Sequence, residues 1–195
     1  MLKEYQAMIN AGLDTVDPIA VNHVRNVIFS ASQNKWPILV IGNGGSAAIG
    51  DHWSCDYSKG ISEDTDHKMN VRNLGSNMSI MTAIANDIGY DQVFSKQIEW
   101  CKEEAVVLAI SSSGSSPNIV NGLRKANELE LPTIALVGFD GGEVLRRDMA
   151  DFIIHVNSNN YGVVEDCHQI IMHTIAQNIR TQYKNKDVKI GRAHV

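Results

Sequence analysis

Five short apolar runs, rich in valine and isoleucine, alternate with stretches of helical pattern along this chain. The apolar runs lie at residues 37–42, 69–74, 106–111, 133–138 and 152–156. The helical patterns lie at about 45–58, 77–86, 91–101 and 116–129, and the last one runs from about 164 to 184. Apolar strands that alternate with helices are typical of a parallel sheet with both faces covered. The sequence therefore predicts an α/β fold, a five-stranded parallel sheet flanked by helices on both faces.

Domain organisation follows from the length of the chain and from its first residues. At 195 residues the chain has the size of one domain. The first 35 residues show a helical pattern, with a break near Asp17 and Pro18 and an apolar stripe that runs from Ala20 to Ile28. We therefore expect one domain over 1–195, with an N-terminal helical arm over 1–35 and a frayed polar tail over 186–195.

Charge and composition narrow the classes of function. Seventeen basic residues against 22 acidic ones give a net charge of −5, so neither a nucleic acid nor a membrane is expected as the main partner. The three cysteines are odd in number and form no CxxC pair, which favours a reducing compartment. The sequence also shows no secretory signal pattern and no apolar run long enough to span a membrane, so a cytoplasmic protein is expected.

A glycine-rich loop, residues 42–47 (GNGGSA, the glycine loop), follows the first predicted strand and opens a helix. A dinucleotide site would need an acidic residue at the end of the next strand, but that strand ends in Arg72-Asn73-Leu74-Gly75. A Walker loop would need a Gly-Lys-Ser/Thr ending, which is also missing. The loop is therefore either a plain turn or a site whose backbone N–H groups face an anion or a sugar hydroxyl. No nucleotide cofactor is expected.

A second loop, residues 111–116 (SSSGSS, the serine loop), lies between a predicted strand and Pro117, a residue suited to the first turn of a helix. Serines before a helix often serve only as caps, yet five serines in six positions exceed what one cap requires. Their hydroxyls, the backbone amides and the helix dipole can hold a phosphate by hydrogen bonds, without a lysine. The sequence therefore indicates an uncharged anion site at this loop.

Several segments together resemble the SIS (sugar isomerase) domain, whose members bind phosphosugars. They are GNGGSA at 42–47, TAIANDIGY at 82–90, ISSSGSSPNIV at 110–120, VGFDGG at 137–142 and the histidine-bearing last helix. Within that family the combination is similar to the phosphoheptose isomerases, over nearly the whole chain. The resemblance implies conversion of sedoheptulose 7-phosphate to D-glycero-D-manno-heptose 7-phosphate, for bacterial lipopolysaccharide or capsule synthesis. It also implies a homotetramer assembled through the helical arm, with active sites at subunit interfaces.

The same resemblance implies which residues form the site. Sugar contacts fall on Asn43, Gly44, Gly45, Ser46, Asn86, Asp87 and Glu165, and phosphate contacts on Ser111, Ser112, Ser113 and Ser116. The zinc positions of the family fall on His52, Asp56, Glu165 and His173. Two of these differ from the family pattern, which has glutamate where Asp56 stands and glutamine where Glu165 stands. The acid–base roles fall on Asp56 and His173, and Glu165 is a rival base.

The residues themselves support a divalent metal at part of this set. His52 and Asp56 are four residues apart on a predicted helix, so their side chains can converge on one ion, although such a pair can also be a solvated ion pair. Histidine and carboxylate ligands suit Zn²⁺ or another divalent first-row metal. Glu165 and His173 are eight residues apart, which is about 12 Å of regular helix. We therefore expect Glu165 at the ragged start of the last helix, or at the metal of a neighbouring subunit.

Three neighbouring side chains are alternatives to this set. His168 is either a rival metal ligand or a helix-face histidine that is hydrogen-bonded in an interface. Cys55 and Cys167 could bind zinc as thiolates, but their apolar or bulky neighbours favour packing in the core for both. The sequence leaves the role of the histidine open.

Three functions fit these residues. An aldose–ketose isomerase moves a proton between adjacent carbons through a cis-enediol, and it needs a base near both carbons and a group that polarises the carbonyl. The second function is a non-catalytic SIS adaptor, like the one that associates with the bacterial replication initiator, but the ionisable cluster at 52, 56, 165 and 173 counts against it. The third is an isomerase or sensor of another ketose phosphate. The first is the predicted function.

Overall fold

The computed structural model of the protein describes residues 1–101 and 104–184. Its strands are β1 (Ile38–Gly42), β2 (Val71–Asn73), β3 (Val106–Ser111), β4 (Thr133–Val137) and β5 (Phe152–His155). They form a five-stranded sheet in the order β2-β1-β3-β4-β5, and every neighbouring pair is parallel. The predicted parallel α/β fold is therefore confirmed. The predicted frayed tail over 186–195 lies outside the described residues.

The central strands are apolar because helices cover both of their faces. Every residue of β1, β3 and β4 is buried, which is the reason why these runs show no alternation of polar and apolar residues. β2 ends at Asn73, one residue before the predicted run does, where the side-chain oxygen of Asn73 accepts a hydrogen bond from the backbone N–H of Gly75 at 3.0 Å. A turn of this type bends the chain out of the sheet at that point.

Helices lie on both sides of this sheet in the described part of the chain. They are α1 (Leu2–Leu13), α2 (Pro18–Asn34), α3 (Gly44–Cys55), α4 (Ser62–Asp64), α5 (Met78–Asp87), α6 (Ser95–Trp100), α7 (Pro117–Glu128), α8 (Gly142–Arg146) and α9 (Tyr161–Tyr183). The short α8 was not predicted, because five residues are too few to show an apolar period. None of the helices among the described residues combines the length and the apolar character needed to cross a membrane.

The helical arm begins as predicted, with two helices that are separated before Pro18. The carboxylate of Asp17 caps α2 by accepting a hydrogen bond from the backbone N–H of Ile19 at 2.8 Å, and Pro18 occupies the first turn, where its missing N–H has no consequence. α1 packs against α9, where the Tyr5 hydroxyl donates to Asp166 Oδ2 at 2.8 Å. The arm is therefore joined to the domain through the last helix.

The two faces of the sheet carry different helices. On one face, side chains of α2, α3 and α9 form a core with alternate residues of the strands, and α1 packs against it. On the other face, side chains of α5, α6, α7 and α8 form the second core. Of the predicted metal ligands, His52 lies in α3 and Asp56 directly follows it, while Glu165 and His173 lie in α9. The helices α3 and α9 are in contact with each other. The fold therefore brings both halves of the predicted metal site to one side of the sheet.

Candidate active site

The end of α3 positions the first two predicted ligands. His52 lies in the last turn of α3, and Asp56 is the first residue of a π-helical segment, Asp56–Ile61, that continues α3 into α4. The Nε2 atom of His52 lies 3.4 Å from Oδ2 of Asp56. π-Helical segments inside helices occur frequently at functional sites. The predicted convergence of these two side chains is therefore confirmed.

Two buried aromatic residues, each next in sequence to one of these ligands, fix the orientation of the helix. Trp53 and Tyr57 are fully buried, and their rings are stacked with centroids 4.8 Å apart. The Tyr57 hydroxyl donates to the backbone oxygen of Met172 in α9 at 3.0 Å. Burial raises the pKa of Tyr57 well above its usual value, so the hydroxyl stays protonated. Because Tyr57 is anchored to α9, the adjacent Asp56 is held next to the same helix.

His173 of α9 completes a cluster of three ligand-type side chains. Its Nε2 atom lies 3.3 Å from Oδ2 of Asp56, and one ligand atom from each of His52, Asp56 and His173 lies within 4.8 Å of the others. Ligands at the usual zinc bond lengths of 2.0–2.1 Å in a tetrahedron are separated by roughly 3.3 Å. The donor set and the spacing to Asp56 therefore fit a tetrahedral divalent metal, with a fourth position left for another ligand.

Gln169 also contacts this cluster, and the sequence reasoning missed it. Its amide Nε2 lies 2.6 Å from Nδ1 of His52 and 3.3 Å from Nε2 of His173. Gln169 precedes His173 by one helical turn on α9, so its spacing of four residues was the available signal.

The structure places Glu165 at the glycine loop and not in the cluster of His52, Asp56 and His173. A Cβ atom added to Gly45 would lie 2.6 Å from both carboxylate oxygens of Glu165, so this carboxylate lies against the backbone of that glycine. Of the two positions expected for Glu165, the ragged start of the last helix is wrong, and the metal of a neighbouring subunit stays a prediction. α9 begins at Tyr161, and Asn160 caps it by accepting from the Val163 N–H at 3.1 Å, so Glu165 already lies in regular helix.

His168 is a core residue and not a rival ligand in this protomer. It is fully buried, and its Nε2 atom lies 3.3 Å from the backbone oxygen of Val137. Burial lowers the pKa of His168 to about 4; the hydrogen bond to the Val137 oxygen opposes this shift, and the electrostatic effect of His155 adds to it. His168 is therefore neutral at physiological pH. The hydrogen bond expected for it exists, although it is made inside the domain.

The two cysteines next to the predicted ligands differ from each other. Cys167 is buried as predicted, with its thiol 3.6 Å from the backbone oxygen of Ile9. Burial, followed by the charge of Asp166, raises the pKa of Cys167 to about 11, so the thiol is neutral. The prediction that Cys55 packs in the core is wrong, because Cys55 is exposed. Trp53 and Tyr57 occupy the buried side of that helical stretch, and Cys55 lies between them in sequence on the opposite side.

The glycine loop is linked to the helix that follows the serine loop by a pair of amides. Asn43 Nδ2 donates to Asn118 Oδ1 at 2.9 Å, and Asn118 Nδ2 donates to Asn43 Oδ1 at 2.8 Å. The Tyr90 hydroxyl also donates to Asn43 Oδ1, at 3.0 Å. Asn118 is buried in the first turn of α7 and was not predicted as a site residue. The side chain of Asn43 therefore holds the loops together, which leaves the backbone of the glycine loop to face a ligand.

A cavity of about 370 Å³ adjoins the glycine loop. Its lining includes Gly44 of that loop, and Thr82, Ala85 and Tyr90 of the TAIANDIGY segment. Asn86 and Asp87, the predicted sugar contacts, are exposed, and the Asn86 amide donates to Asp87 Oδ1 at 2.8 Å. The TAIANDIGY segment therefore lies next to the glycine loop, but its residues that line the cavity are Thr82, Ala85 and Tyr90 and not Asn86 or Asp87.

The serine loop is shaped by backbone contacts that leave several hydroxyls available. Ser111 Oγ accepts from the Gly114 N–H at 3.1 Å, and Ser115 Oγ accepts from the Glu143 N–H of α8 at 3.1 Å. The buried Oγ of Ser112 has no hydrogen-bond partner within the described residues. Ser116 is the N-cap residue of α7, but its side chain makes no capping bond there. The loop therefore presents unused donors at the start of a helix, as an anion site requires.

Comparison with known proteins identifies the family of this architecture. Residues 4–138 match the SIS domain family. The matched range includes nearly all of the helical arm and the first four strands of the sheet. The chain therefore belongs to the SIS domain family. The resemblance predicted from the glycine loop, the serine loop and the last helix is confirmed.

Relatives that match along most of the chain narrow the comparison to one group. A phosphoheptose isomerase of Aliarcobacter butzleri is 34% identical over 168 residues, which are 86% of this chain and 83% of that protein. The phosphoheptose isomerase of Helicobacter pylori is 30% identical over 163 residues, or 83% of each chain. The solved phosphoheptose isomerase of Neisseria gonorrhoeae has a TM-score of 0.82 and 26% identity, over 92% of this chain and 96% of that one. The chain is thus similar to phosphoheptose isomerases along most of its length.

Proposed function

We propose that this protein is an aldose–ketose isomerase that converts sedoheptulose 7-phosphate to D-glycero-D-manno-heptose 7-phosphate. The observation that carries the proposal is the cluster of His52, Asp56 and His173, which stands on a fold shared with named phosphoheptose isomerases. A carboxylate between two imidazoles suits proton transfer and metal binding, and an adaptor would have no use for it. The product would supply heptose for lipopolysaccharide or capsule synthesis.

The proton transfer is assigned to Asp56 and His173. Oδ2 of Asp56 lies within 3.3–3.4 Å of both imidazoles, so a carboxylate base and an imidazole acid are adjacent. Zinc is the metal proposed for the cluster, and when bound it would polarise the substrate carbonyl as a Lewis acid. His52, Asp56 and His173 would hold it. The half-exposed side chains of this cluster leave one side open to a sugar.

Glu165 is proposed as a contact to the sugar hydroxyls. Its carboxylate lies against Gly45 in the first turn of α3, where a helix N-terminus would otherwise attract an anion. A negative group at this place repels the phosphate and accepts hydrogen bonds from hydroxyls. The phosphate is therefore assigned to the serine loop, which leads into α7, a helix without an acidic residue in its first turn.

The serine loop can be tested by removing two of its hydroxyls. Combining Ser113→Ala with Ser116→Ala should raise KM for the sugar phosphate by about tenfold or more, because a hydrogen bond to a charged group is worth about 1.5–3 kcal/mol. Steady-state kinetics measures this change. Ser115→Ala is the matched control, since its hydroxyl accepts from Glu143 within the fold, and KM should stay near its original value. An unchanged KM in the double variant would place the phosphate elsewhere.

The role of Glu165 can be separated from that of a base by one substitution. Glu165→Gln keeps a hydrogen-bonding group but cannot accept a proton from carbon, so substantial turnover should remain if Asp56 is the base. Were Glu165 the base, kcat would fall by about two to four orders of magnitude while zinc content stayed normal. Solvent-deuterium incorporation into the sugar, measured together with bound zinc, distinguishes the two results. Loss of exchange with zinc retained would refute the assignment to Asp56.

The proposed reaction itself is tested with the unmodified, zinc-loaded protein. Sedoheptulose 7-phosphate in deuterium oxide should give the aldose product and take up deuterium at the carbon that gains the proton. Bound sugar phosphate without any exchange would refute the isomerase and support a non-catalytic SIS protein. Exchange on a different ketose phosphate, with none on this heptose, would keep the reaction type and change the substrate.

We also propose a homotetramer whose active sites lie at subunit interfaces. Leu2 and Ile19 of the helical arm are 78% and 62% exposed in the single chain, so the arm offers apolar surface to another copy. The cluster of His52, Asp56 and His173 is also open to the surface, which leaves room for a residue of a second subunit. The three cysteines are free, which fits a reducing cytoplasm, the proposed location.

A further inference from the structure

The amide of Gln169 lies between the two imidazoles of the candidate metal site. Its Nε2 atom is 2.6 Å from His52 Nδ1 and 3.3 Å from His173 Nε2. Among the residues that the structure describes, it is the hydrogen-bond partner of His52 Nδ1, while Nε2 of the same ring faces Asp56 at 3.4 Å. Each nitrogen of the His52 ring therefore has a different neighbour.

This arrangement matters because the two nitrogens of a neutral histidine have opposite roles. One carries a proton and the other a lone pair, and the partner of each nitrogen determines which is which. When the Gln169 amide donates to Nδ1, the ring proton is on Nε2 and points at Asp56. For Nε2 to bind a cation, the proton must instead be on Nδ1 and needs an acceptor there. A half-turn of the amide brings its oxygen to that atom.

We propose that Gln169 is a positioning residue that holds His52 in the Nδ1-protonated form and thereby directs its Nε2 lone pair to the metal. The proposal rests on the metal site of the proposed function, but not on the identity of the sugar. His52 needs such a partner because its side chain is 47% exposed, so core packing does not fix the ring. Gln169 is suited to the task because an amide can serve either state of the ring without a change of charge.

Zinc affinity of the full-length protein tests this role without any substrate. Loss of a hydrogen-bond partner behind a metal-binding histidine typically weakens metal binding by about 10- to 100-fold. Competition with a chelating dye should therefore show a rise of that size in the zinc Kd of Gln169→Leu. Gln169→Glu, whose carboxylate can accept from the Nδ1–H, should restore most of the affinity. The control is Gln177→Leu, an exposed glutamine two turns further along α9, which should leave the Kd unchanged.

Imidazole ¹⁵N spectra supply the readout that a merely structural residue would not change. In the zinc-loaded protein, the Nδ1–H proton of His52 should be visible and protected from exchange with water, and in Gln169→Leu it should be lost to exchange. Unchanged zinc affinity and an unchanged Nδ1–H signal in Gln169→Leu would overturn the proposal. If wild-type protein binds zinc as expected but isomerises no sugar phosphate, the proposed function fails while this inference stands.

Discussion

Replacing Asp56 with asparagine is expected to remove proton transfer and to weaken zinc binding at the same time. Oδ2 of Asp56 lies 3.4 and 3.3 Å from the Nε2 atoms of His52 and His173, so in the proposed function one atom would serve both the metal and the proton transfer. General base catalysis alone is worth about 10²–10⁴-fold, and kcat should fall by at least that factor. Solvent-deuterium incorporation at saturating zinc reports the proton transfer, and equilibrium dialysis reports the metal.

The matched control for this substitution is Asp148→Asn. Asp148 is exposed, lies far from the cluster in sequence, and has a φ of +51°, a conformation that asparagine also adopts readily. The Asp148→Asn substitution removes one negative charge from the protein and should change neither the incorporation of deuterium into the sugar nor the zinc content. If Asp56→Asn still exchanged deuterium at a rate close to that of the wild type, the base would have to be another residue, with Glu165 the first to examine.

Introducing a methyl group at Gly114 is expected to give the largest loss of stability among simple glycine substitutions in the two loops. Gly114 has a φ of +59°, and a Cβ atom there would lie 2.1 Å from the backbone oxygen of Gly141. The left-handed conformation costs about 1–2 kcal/mol for alanine, and forced repacking adds about 1–3 kcal/mol. The free energy of unfolding of Gly114→Ala should therefore fall by about 2–5 kcal/mol, measured by urea denaturation.

Gly44 offers the control that separates the two causes. Its φ of +53° is similar, but nothing lies within 4 Å of an added Cβ atom. Gly44→Ala should therefore show only the conformational part, about 1–2 kcal/mol. Equal losses in the two variants would mean that the contact between the serine loop and Gly141 yields without strain. The serine loop would then be less rigid than the structure indicates.

Local patterns made the fold and part of the site predictable. The buried strands appear in the sequence as valine- and isoleucine-rich runs because both faces of the sheet are covered. The contact of His52 with Asp56 follows from a spacing of four residues on one helix. The isomerase class followed from the combined motifs, and the named phosphoheptose isomerase relatives support it.

The remainder of the site depends on tertiary geometry that spacing alone does not give. The ragged helix start expected for Glu165 was wrong because the Asn160 cap starts α9 three residues earlier than the apolar pattern suggested. Gln169 and Asn118 were missed because an amide reveals its partners only when another element is packed against it. Cys55 was predicted as buried because its neighbours are bulky, but those neighbours fill the core themselves.

The reciprocal amide pair of Asn43 and Asn118 has a consequence for how a substrate would be received. Each side chain donates to the other and accepts from it, so both hydrogen bonds must break before the glycine loop can separate from the start of α7. The amide pair thus joins the glycine loop to the start of α7. A ligand that spans the glycine loop and the start of α7 would meet two segments already joined to each other, so little conformational entropy would be lost in bringing them together on association.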